Sequence, residues 1–407
     1  MTDCIPFFKS HYSLGKSILT LTKPGESSPN APVSIFDILI ENKIKELFLV
    51  EDSFGGFLEA YQNCKENDIQ LNFGLRFNFL CDIEEKDEEA LKARCKYIIL
   101  AKNTKGYKQL VKIWSLASKE GFYYTPNLDF RILQDFWDND DLLMCVPFYD
   151  SFLHRNALEG AVCIPDFEYC KPVFLTEEND VPFDHLIRKR VKSYAESAHL
   201  PIQEVKSIYY KNREDFLAYL TFKCIKNRSS LERPNIDHMC SNEFCFESWK
   251  EKNTQHKIKK IAREREEVHK NHASSRPLSE GYERLGLVGE YQFAKEFGFE
   301  VDERLRPEGD GGKDFPSSLG AIDVKTARKA FNLIVEEGHV ESDIYVLAQY
   351  HDNTDSANLL GWAYKGEVLA APTKDFGYGV INHYIPKKKL YKMASLKEKF
   401  NLETVNI

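Results

Sequence analysis

Two short runs near the C-terminal end decide how the last part of the chain folds. They are Gly309-Asp310-Gly311-Gly312-Lys313-Asp314-Phe315 and, after a turn, Ile322-Asp323-Val324-Lys325-Thr326. The second run predicts a strand, and successive side chains of a strand face opposite sides of a sheet. The apolar residues beside Asp323 then enter a core, whereas Asp323 and Lys325 lie together on the other face. The turn makes the two runs a hairpin and brings Asp314 towards Asp323.

This hairpin gathers charged groups that are unfavourable to bring together without a partner. Two carboxylates repel each other, and each prefers water unless a cation neutralises it. Hard oxygen ligands of this kind suit Mg²⁺ or Mn²⁺. The sequence therefore predicts a divalent-metal site on Asp314 and Asp323, with the ammonium group of Lys325 beside it.

A helix is predicted just before the hairpin, over residues 285–297. Glu290, Phe293, Ala294 and Phe297 share one of its faces, because residues three and four apart are neighbours on a helix. A carboxylate on an otherwise apolar face needs a partner if it is buried. The simpler interpretation places Glu290 at the edge of that face, where it reaches solvent.

The order of a helix glutamate, a hairpin aspartate and an Asp-x-Lys strand resembles the PD-(D/E)XK nuclease superfamily. The resemblance covers roughly residues 285–390, and its motifs are Gly289-Glu290, Gly312-Lys313-Asp314 and Ile322-Asp323-Val324-Lys325-Thr326. Lys313 replaces the proline of the motif, and Asp323 stands where glutamate is commoner. The resemblance implies a restriction-endonuclease-like α/β/α domain that hydrolyses phosphodiester bonds in DNA.

The same resemblance assigns roles to individual residues. Asp314 and Asp323 would bind Mg²⁺ or Mn²⁺, and Glu290 would join them directly or through water. The carbonyl group of Val324 would supply a further ligand, and Lys325 would orient the attacking water or stabilise the phosphorane. The predicted substrate contacts are Arg328, Lys329 and Gln349, although a structural use of Gln349 fits the sequence equally well.

Residues 1–180 alternate short predicted strands and helices, which favours an α/β domain with a mainly parallel sheet. Residues 52–61 and 98–124 resemble two sequence blocks of the PHP domain of bacterial DNA polymerase III alpha subunits. Tyr12-Ser13-Leu14 fits an earlier block, and residues 209–251 fit the end of that domain. The resemblance spans roughly the first 250 residues and implies a (β/α)₇-like barrel.

The metal ligands of PHP enzymes are missing at the aligned positions. At these positions the histidines and acids of the family are replaced by Phe7, Lys9, Glu51, Arg76, Ser207 and Tyr209. Phenylalanine, lysine and arginine do not replace imidazole on a divalent cation. We therefore expect a degenerate barrel without catalytic metals that serves as a scaffold. The alternative is an altered site formed by Glu51, Asp52 and His11.

Composition and charge exclude several classes of protein. The net charge of −8 argues against a protein that coats nucleic acid through bulk charge, but it leaves room for a local basic groove. The ten cysteines include no CxxC pair, which indicates reduced thiols. The first residues lack the features of a signal peptide, and no apolar run is long enough to span a membrane. A cytoplasmic location is expected.

Three segments are predicted. Residues 1–250 form the PHP-like domain, 251–283 a charged helical connector, and 284–407 the nuclease domain. The charges of the connector indicate an exposed helix face, or alternatively a helix that flanks DNA phosphates.

Three functions compete. The leading one is a Mg²⁺-dependent deoxyribonuclease of a phage or mobile element, whose partners are DNA and, through the PHP-like domain, replication or host proteins. The second is a PHP-type phosphoesterase or exonuclease. The third is a non-catalytic replication accessory protein. The sequence leaves open whether the nuclease cuts internally or from ends.

Overall fold

The computed structural model describes residues 4–26, 31–158, 160, 164–231, 241–269, 281–305, 313–377 and 379–404. The chain divides into two units, residues 1–253 and 254–407. None of the helices among the described residues is long and apolar enough to cross a membrane. The cysteines described in these ranges are free thiols.

The first unit is built from eight strands. They are β1 (Ile5–Phe8), β2 (Glu46–Glu51), β3 (Gln70–Phe79), β4 (Cys95–Ala101), β5 (Asn127–Leu128), β6 (Leu142–Val146), β7 (Val173–Thr176) and β8 (Ile202–Ile208). Seven of them close into a barrel in the order β2-β1-β8-β7-β6-β4-β3, because β3 also pairs with β2. The short β5 pairs with the end of β3 outside this ring. The closed barrel that the family resemblance implied is thus confirmed.

Helices connect the strands of the barrel. They are α1 (Ile35–Glu41), α2 (Phe57–Glu66), α3 (Glu88–Lys92), α4 (Thr104–Lys119), α5 (Phe130–Gln134), α6 (Phe152–Leu158), α7 (Asp184–Ser197) and α8 (Phe216–Asn227). Side-chain caps fix where several of them begin. Asn103, for example, accepts a hydrogen bond from the backbone N–H of Gly106 at 2.9 Å and starts α4.

All the strand pairs of the ring are parallel except the two that involve β4, which runs antiparallel to β3 and β6. The inside of the barrel is filled by an apolar cluster that includes Phe7, Val50, Leu175 and Val205. A larger core lies between the barrel strands and the helices that surround them. The carboxyl ends of the parallel strands therefore meet above a packed interior, as is usual for such barrels.

A long helix, α9 (Phe246–His269), contains the boundary between the two units. Its start packs into the first core through Phe246 and Trp249. Further along, Ile258 and Ile261 are buried in the core of the second unit. The charged segment that the sequence indicated as a solvated connector therefore carries core residues over 251–269, and residues 270–280 lie outside the described part.

The second unit begins with α10 (Tyr282–Phe297) and a four-stranded sheet. Its strands β9 (Phe315–Ser317), β10 (Gly320–Ala327), β12 (Ile344–His351) and β13 (Ser356–Tyr364) lie in the order β13-β12-β10-β9. A separate sheet pairs β11 (Asn332–Glu336), β15 (Ile381–Pro386) and β14 (Thr373–Asp375) in the order β11-β15-β14. Two more helices, α11 (Lys365–Ala370) and α12 (Met393–Thr404), complete the unit.

Both faces of the four-stranded sheet are covered. One face contributes Ile322, Val324 and Val346 to a core shared with α10 and α12. The other contributes Tyr345 and Leu347 to a smaller core near the three-stranded sheet. The alternation predicted for these strands is present, and Asp323 therefore points to the face opposite α10.

Candidate functional site

The hairpin of β9 and β10 brings Asp314 beside the strand that carries Asp323. Its register pairs Phe315 with Ile322, so that Asp314 comes next to Asp323 across the two strands. The backbone N–H of Asp314 donates to Ile322 O at 2.9 Å. Its carboxylate Oδ2 accepts from the backbone N–H of Val324 at 2.6 Å. The Asp314 side chain is thereby held against β10. The glycines of the approach, residues 309–312, lie outside the described residues.

Asp323 and Lys325 form an ion pair on one face of β10. Lys325 Nζ lies 2.7 Å from Asp323 Oδ2, and the Asp323 side chain is only 3% exposed. The Lys325 side chain is 40% exposed. A buried carboxylate requires a nearby positive charge, and Lys325 supplies one that can also reach a molecule in solution. Asp314, Asp323 and Lys325 are therefore assembled on one short ribbon.

Glu290 lies on α10, which packs closely on β10. A Cβ atom added at Gly289 would come within 1.9 Å of Thr326 Oγ1, so the helix approaches the strand through a glycine. The Glu290 carboxylate is 12% exposed and lies 3.9 Å from Arg265 Nη1 of α9. The predicted metal contact of Glu290 stays a prediction.

Metal-ligand geometry gives a further constraint. Among the residues that the structure describes, no group of three or more His, Cys, Asp or Glu side chains stands close enough to hold a metal ion. A metal on the hairpin would therefore rely on two carboxylates, the Val324 carbonyl group and water. Such a mixed oxygen set is the usual way in which Mg²⁺ is bound.

An open cleft of about 520 Å³ lies beside the hairpin. β10 and the residue after it line the cleft with Val324, Lys325, Thr326, Ala327 and Arg328, and α10 lines it with Tyr282, Leu285 and Gly286. Lys325 is thus one of the residues that line the cleft, whereas Asp314 and Asp323 are not among the lining residues.

The predicted substrate contacts lie near this cleft. Arg328 Nε pairs with Asp352 Oδ1 at 2.9 Å, and its guanidinium group lies over the Tyr350 ring. Lys329 is exposed. Gln349 Nε2 donates to the backbone carbonyl of Arg328 at 3.5 Å, a long contact at the end of β10. Arg328 therefore already has an acidic partner, Asp352. The roles of Arg328, Lys329 and Gln349 in binding substrate stay predictions.

The open end of the barrel shows what replaces the expected metal ligands in the first unit. Phe7 packs within the apolar interior and stacks on Phe48, with 5.8 Å between ring centroids. Lys9 is 4% exposed, and its Nζ donates to Asp52 Oδ1 at 2.6 Å. Burial tends to raise the pKa of Asp52, but Lys9, together with the charges of Lys16 and Arg76, outweighs that effect and holds the pKa below its usual value.

A second set of ion pairs lies across the same opening. Arg76 Nη2 donates to Tyr149 O at 2.7 Å and lies 3.4 Å from Asp150 Oδ2. Lys96 Nζ donates to that same oxygen of Asp150 at 2.9 Å. Burial alone would raise the pKa of Asp150, but the two cations lower it. These residues come from three different parts of the barrel, so the fold alone brings them together.

Two buried glutamates are held by neighbouring donors. Glu51 accepts from the Ser10 backbone N–H at 2.7 Å and from the Ser13 hydroxyl group. Glu177 accepts from the backbone N–H of Ser207 at 3.0 Å and from its hydroxyl group at 2.9 Å. Burial raises the pKa of both carboxyl groups.

The donor set at this opening does not suit the metal cluster of PHP enzymes. Phe7 offers no donor atom, and Lys9 and Arg76 are cations, which repel a metal ion. Asp52 of the alternative altered site is already paired with Lys9.

Comparison with known proteins agrees with the barrel. Residues 28–162 match the family model of the PHP domain. The chain is also similar to DNA polymerase III subunit alpha of several bacteria. The protein from Borreliella burgdorferi is 26% identical over 209 residues, which are 48% of this chain and 18% of the relative.

Two further relatives carry the same name. The subunit from Chlamydia pneumoniae is 32% identical over 236 residues, with 47% of this chain and 18% of the relative covered. The subunit from Aquifex aeolicus is 26% identical over 153 residues, with 36% and 13% covered. This chain therefore spans less than a fifth of the length of these relatives. The PHP match lies within the first unit.

Sequence reasoning found the hairpin residues but missed the ion pairs of the barrel opening. Lys9 and Arg76 were recognised only as missing ligands, and Lys16, Lys96 and Asp150 were not singled out. Their signal was a charged residue at the end of an apolar run, as in Lys96 before Tyr97-Ile98-Ile99-Leu100. That signal does not say which charges meet.

Proposed function

We propose that the chain is a metal-dependent nuclease that hydrolyses phosphodiester bonds in DNA at the hairpin of the second unit. The proposal rests on one observation, the placement of Asp314, Asp323 and Lys325 on a single ribbon beside an open cleft. The order of these residues and the packing of α10 against the hairpin strand support a PD-(D/E)XK nuclease. The barrel unit then acts as a scaffold or docking domain, and a phage or mobile-element origin fits the combination.

Asp314, Asp323 and the carbonyl group of Val324 would hold Mg²⁺ or Mn²⁺. A bound divalent ion of this kind lowers the pKa of water and polarises a phosphate oxygen. The donor set suits such an ion because all three groups offer hard oxygen atoms. The contact of Asp314 with the Val324 N–H keeps its carboxylate next to this carbonyl group.

Lys325 supplies the positive charge that the reaction needs. Its ammonium group is paired with Asp323 yet is 40% exposed, so that it can touch a phosphate in the cleft. A cation placed where negative charge develops stabilises the phosphorane more than the substrate. Arg328 and Lys329 at the end of β10 would contact neighbouring phosphates of the backbone.

The similarity to polymerase subunits supports a second candidate, a replication accessory protein that docks through the barrel. A PHP-type phosphoesterase is the third candidate and is disfavoured by the donor set of Phe7, Lys9 and Arg76. The three functions differ in whether the chain cleaves DNA and in which residues that cleavage requires, so one cleavage assay separates them.

The test uses the full chain with supercoiled plasmid, linear duplex and single-stranded DNA, in Mg²⁺ or in EDTA. We expect cleavage in Mg²⁺ alone, and a loss of about 10²–10³-fold in Lys325→Ala, the range seen when one group that stabilises the transition state is removed. Lys374→Ala is the matched control, because Lys374 is exposed on β14 of the same unit.

Other outcomes assign the rival functions. Cleavage that survives Lys325→Ala but is lost in Glu51→Ala supports the barrel as the enzyme. Absence of cleavage by the wild type on every substrate supports the accessory protein. End-labelled substrates followed over time distinguish internal cuts from removal of terminal nucleotides.

A further inference from the structure

The loop that follows β10 leads from the cleft of the second unit to a group of lysines. Arg328 lines the cleft, and Lys329 and Phe331 come one and three residues later in the chain. Three residues of chain span at most about 10 Å. A chain-like ligand that lies in the cleft therefore needs to extend by no more than this distance to reach the loop.

Hydrogen bonds hold this loop beside a second basic segment, the short 3₁₀ turn Lys387–Lys389. The backbone N–H of Phe331 donates to Lys329 O at 3.0 Å, and the backbone N–H of Lys387 donates to Phe331 O at 2.9 Å. The register of β11 with β15 agrees, because Asn332 lies opposite Pro386. The fold thus assembles a basic patch, which consists of Lys329, Phe331 and Lys387–Lys389.

The lysines of the basic patch lack acidic partners. Lys329 and the three lysines of the turn are exposed. In the part of the chain that the structure describes, none of the four forms an ion pair, whereas the neighbouring Arg328 pairs with Asp352. The acidic residue of β11, Glu336, lies at the other end of that strand. Positive charge therefore accumulates at this end of β11 without an acid in contact with it.

Phe331 lies between Lys329 and Lys387, with its ring in solvent. The residue is 73% exposed. Its backbone is nevertheless fixed, since Ala330 and Leu333 on either side are buried in the smaller core of this unit. A phenylalanine held in water forgoes the stabilisation that burial would give. Single exposed apolar residues are common, but a rigidly presented ring among unpaired lysines is typical of a surface that binds a ligand.

This combination suits single-stranded nucleic acid. Ammonium groups contact backbone phosphates regardless of sequence, and an aromatic ring stacks on a nucleobase whose face is free. In a duplex each base face is covered by its neighbours, so that a stacking ring finds no partner there. An acidic peptide would engage the lysines but would gain little from the ring.

We propose that the basic patch binds a single-stranded stretch of DNA next to the cleft. A base stacks on Phe331, and Lys329 and Lys387–Lys389 contact the phosphates. This inference rests on the proposed function, because it assigns to the hairpin a substrate with unpaired nucleotides beside the cut. The patch selects and positions the DNA and takes no part in the chemistry, so no bond forms or breaks there.

The test is the binding of a fluorescein-labelled oligothymidylate of about 20 nucleotides to the full chain, measured by fluorescence anisotropy in EDTA so that no cleavage occurs. We expect Phe331→Ala to weaken binding by about 5- to 150-fold, the effect of losing one stacked base. Phe331→Tyr should retain binding. Phe331→Leu keeps an apolar side chain without a ring and should bind as weakly as the alanine variant. Ile381→Ala is the matched control, because Ile381 is exposed at the other end of β15.

Salt dependence separates the lysines from the ring. On single-stranded DNA each phosphate contact contributes about 0.7 to the slope of log K against log salt concentration. The double variant Lys387→Gln with Lys388→Gln should therefore show a slope that is smaller by about 0.7 for each lost contact, whereas Phe331→Ala should leave the slope unchanged. Lys374→Gln is the control, since Lys374 is exposed on β14 of the same sheet.

Circular dichroism checks that each variant is folded. Wild-type affinity in Phe331→Ala or in Phe331→Leu would overturn the proposal. Binding of a duplex of the same length as tightly as the oligothymidylate would also overturn it, as would displacement by polyglutamate as effective as displacement by unlabelled oligothymidylate. Cleavage in Mg²⁺ is scored separately. A chain that binds through Phe331 but cuts no DNA contradicts the proposed function and supports the patch as a binding surface.

Discussion

The barrel opening and the hairpin of the second unit collect charged side chains in different ways. The hairpin places Asp314 and Asp323 on neighbouring strands, and Lys325 pairs with Asp323. The barrel opening pairs Lys9 with Asp52, and both Lys96 and Arg76 with Asp150, so that cations and carboxylates neutralise each other. The match to the PHP family lies in this first unit, yet its opening presents Lys9 and Arg76, which do not bind a metal ion. A fold match therefore does not carry its chemistry with it.

The largest expected effect on stability comes from a substitution that breaks an ion pair at the barrel opening. Lys9→Met removes the partner of Asp52, and loss of one member of a buried ion pair costs about 3–5 kcal/mol. We expect a smaller loss of about 1–3 kcal/mol in the free energy of unfolding of the first unit, because Asp52 is 37% exposed and regains water. Hydrogen exchange measured by mass spectrometry in denaturant assigns the loss to peptides of that unit.

Lys23→Met is the control for this substitution. Lys23 and Glu66 lie 3.2 Å apart and are both more than half exposed. Exposed pairs contribute about 0–1 kcal/mol. Equal losses in the two variants would show that the buried Lys9–Asp52 pair contributes no more than an exposed one. A loss of DNA cleavage in Lys9→Met would show that the hairpin depends on the barrel opening.

The next effect concerns the contact that positions α10 against the hairpin strand. In Gly289→Ala the new methyl group meets Thr326 Oγ1 at 1.9 Å, so either the helix or the Thr326 side chain must move. Overpacking of this kind costs about 1–3 kcal/mol, partly offset by about 1 kcal/mol from the better helix propensity of alanine. We expect a lower melting temperature of the second unit and a partial recovery in Gly289→Ala with Thr326→Ala.

Gly286→Ala is the matched control on the same helix. An added Cβ there meets only Glu290 Oε1, at 3.8 Å, which is ordinary contact. This variant should be as stable as the wild type or slightly more stable. If calorimetry finds the two alanine variants equally stable, the close approach at Gly289 does not constrain the helix.

The smallest effect is a pH dependence of the barrel. The pKa of Lys16 is about 8 in the folded chain and 10.5 in an ordinary lysine, so the unfolded chain binds more protons between these values. Stability therefore rises with pH over this window. We expect the wild type to gain stability relative to Lys16→Gln, by less than about 1 kcal/mol per pH unit. Urea denaturation in phosphate-free buffer measures the difference, and a flat difference contradicts the assignment.

The sequence predicted local elements well because their patterns are short. The alternation around Asp323 places Ile322 and Val324 in one core, as expected, and Asp323 on the opposite face. The barrel was reached through a resemblance to a family and not through periodicity. The helix of residues 285–297 was found almost in full, since α10 spans Tyr282–Phe297.

The sequence did not predict which charged residues far apart in the chain form ion pairs. Arg76 meets Asp150 across 74 residues, and Lys9 meets Asp52 across 43. Charge patterns alone do not select such partners, because any surface carboxylate is an acceptable candidate. The segment after residue 250, predicted as a charged helical connector, illustrates the same limit of charge patterns. Its apolar residues Ile258 and Ile261 are outnumbered by charges, yet they are buried in the core of the second unit.

The reversed direction of β4 affects how residues at the rim of such a barrel are located from its sequence. Active residues of barrels are usually sought immediately after a strand, where the chain leaves the sheet. Lys96 stands near the beginning of its strand and still arrives at the same rim as residues that follow theirs. A profile that scans only downstream of each strand would overlook this lysine, because an antiparallel strand brings its first residues, not its last, to the rim.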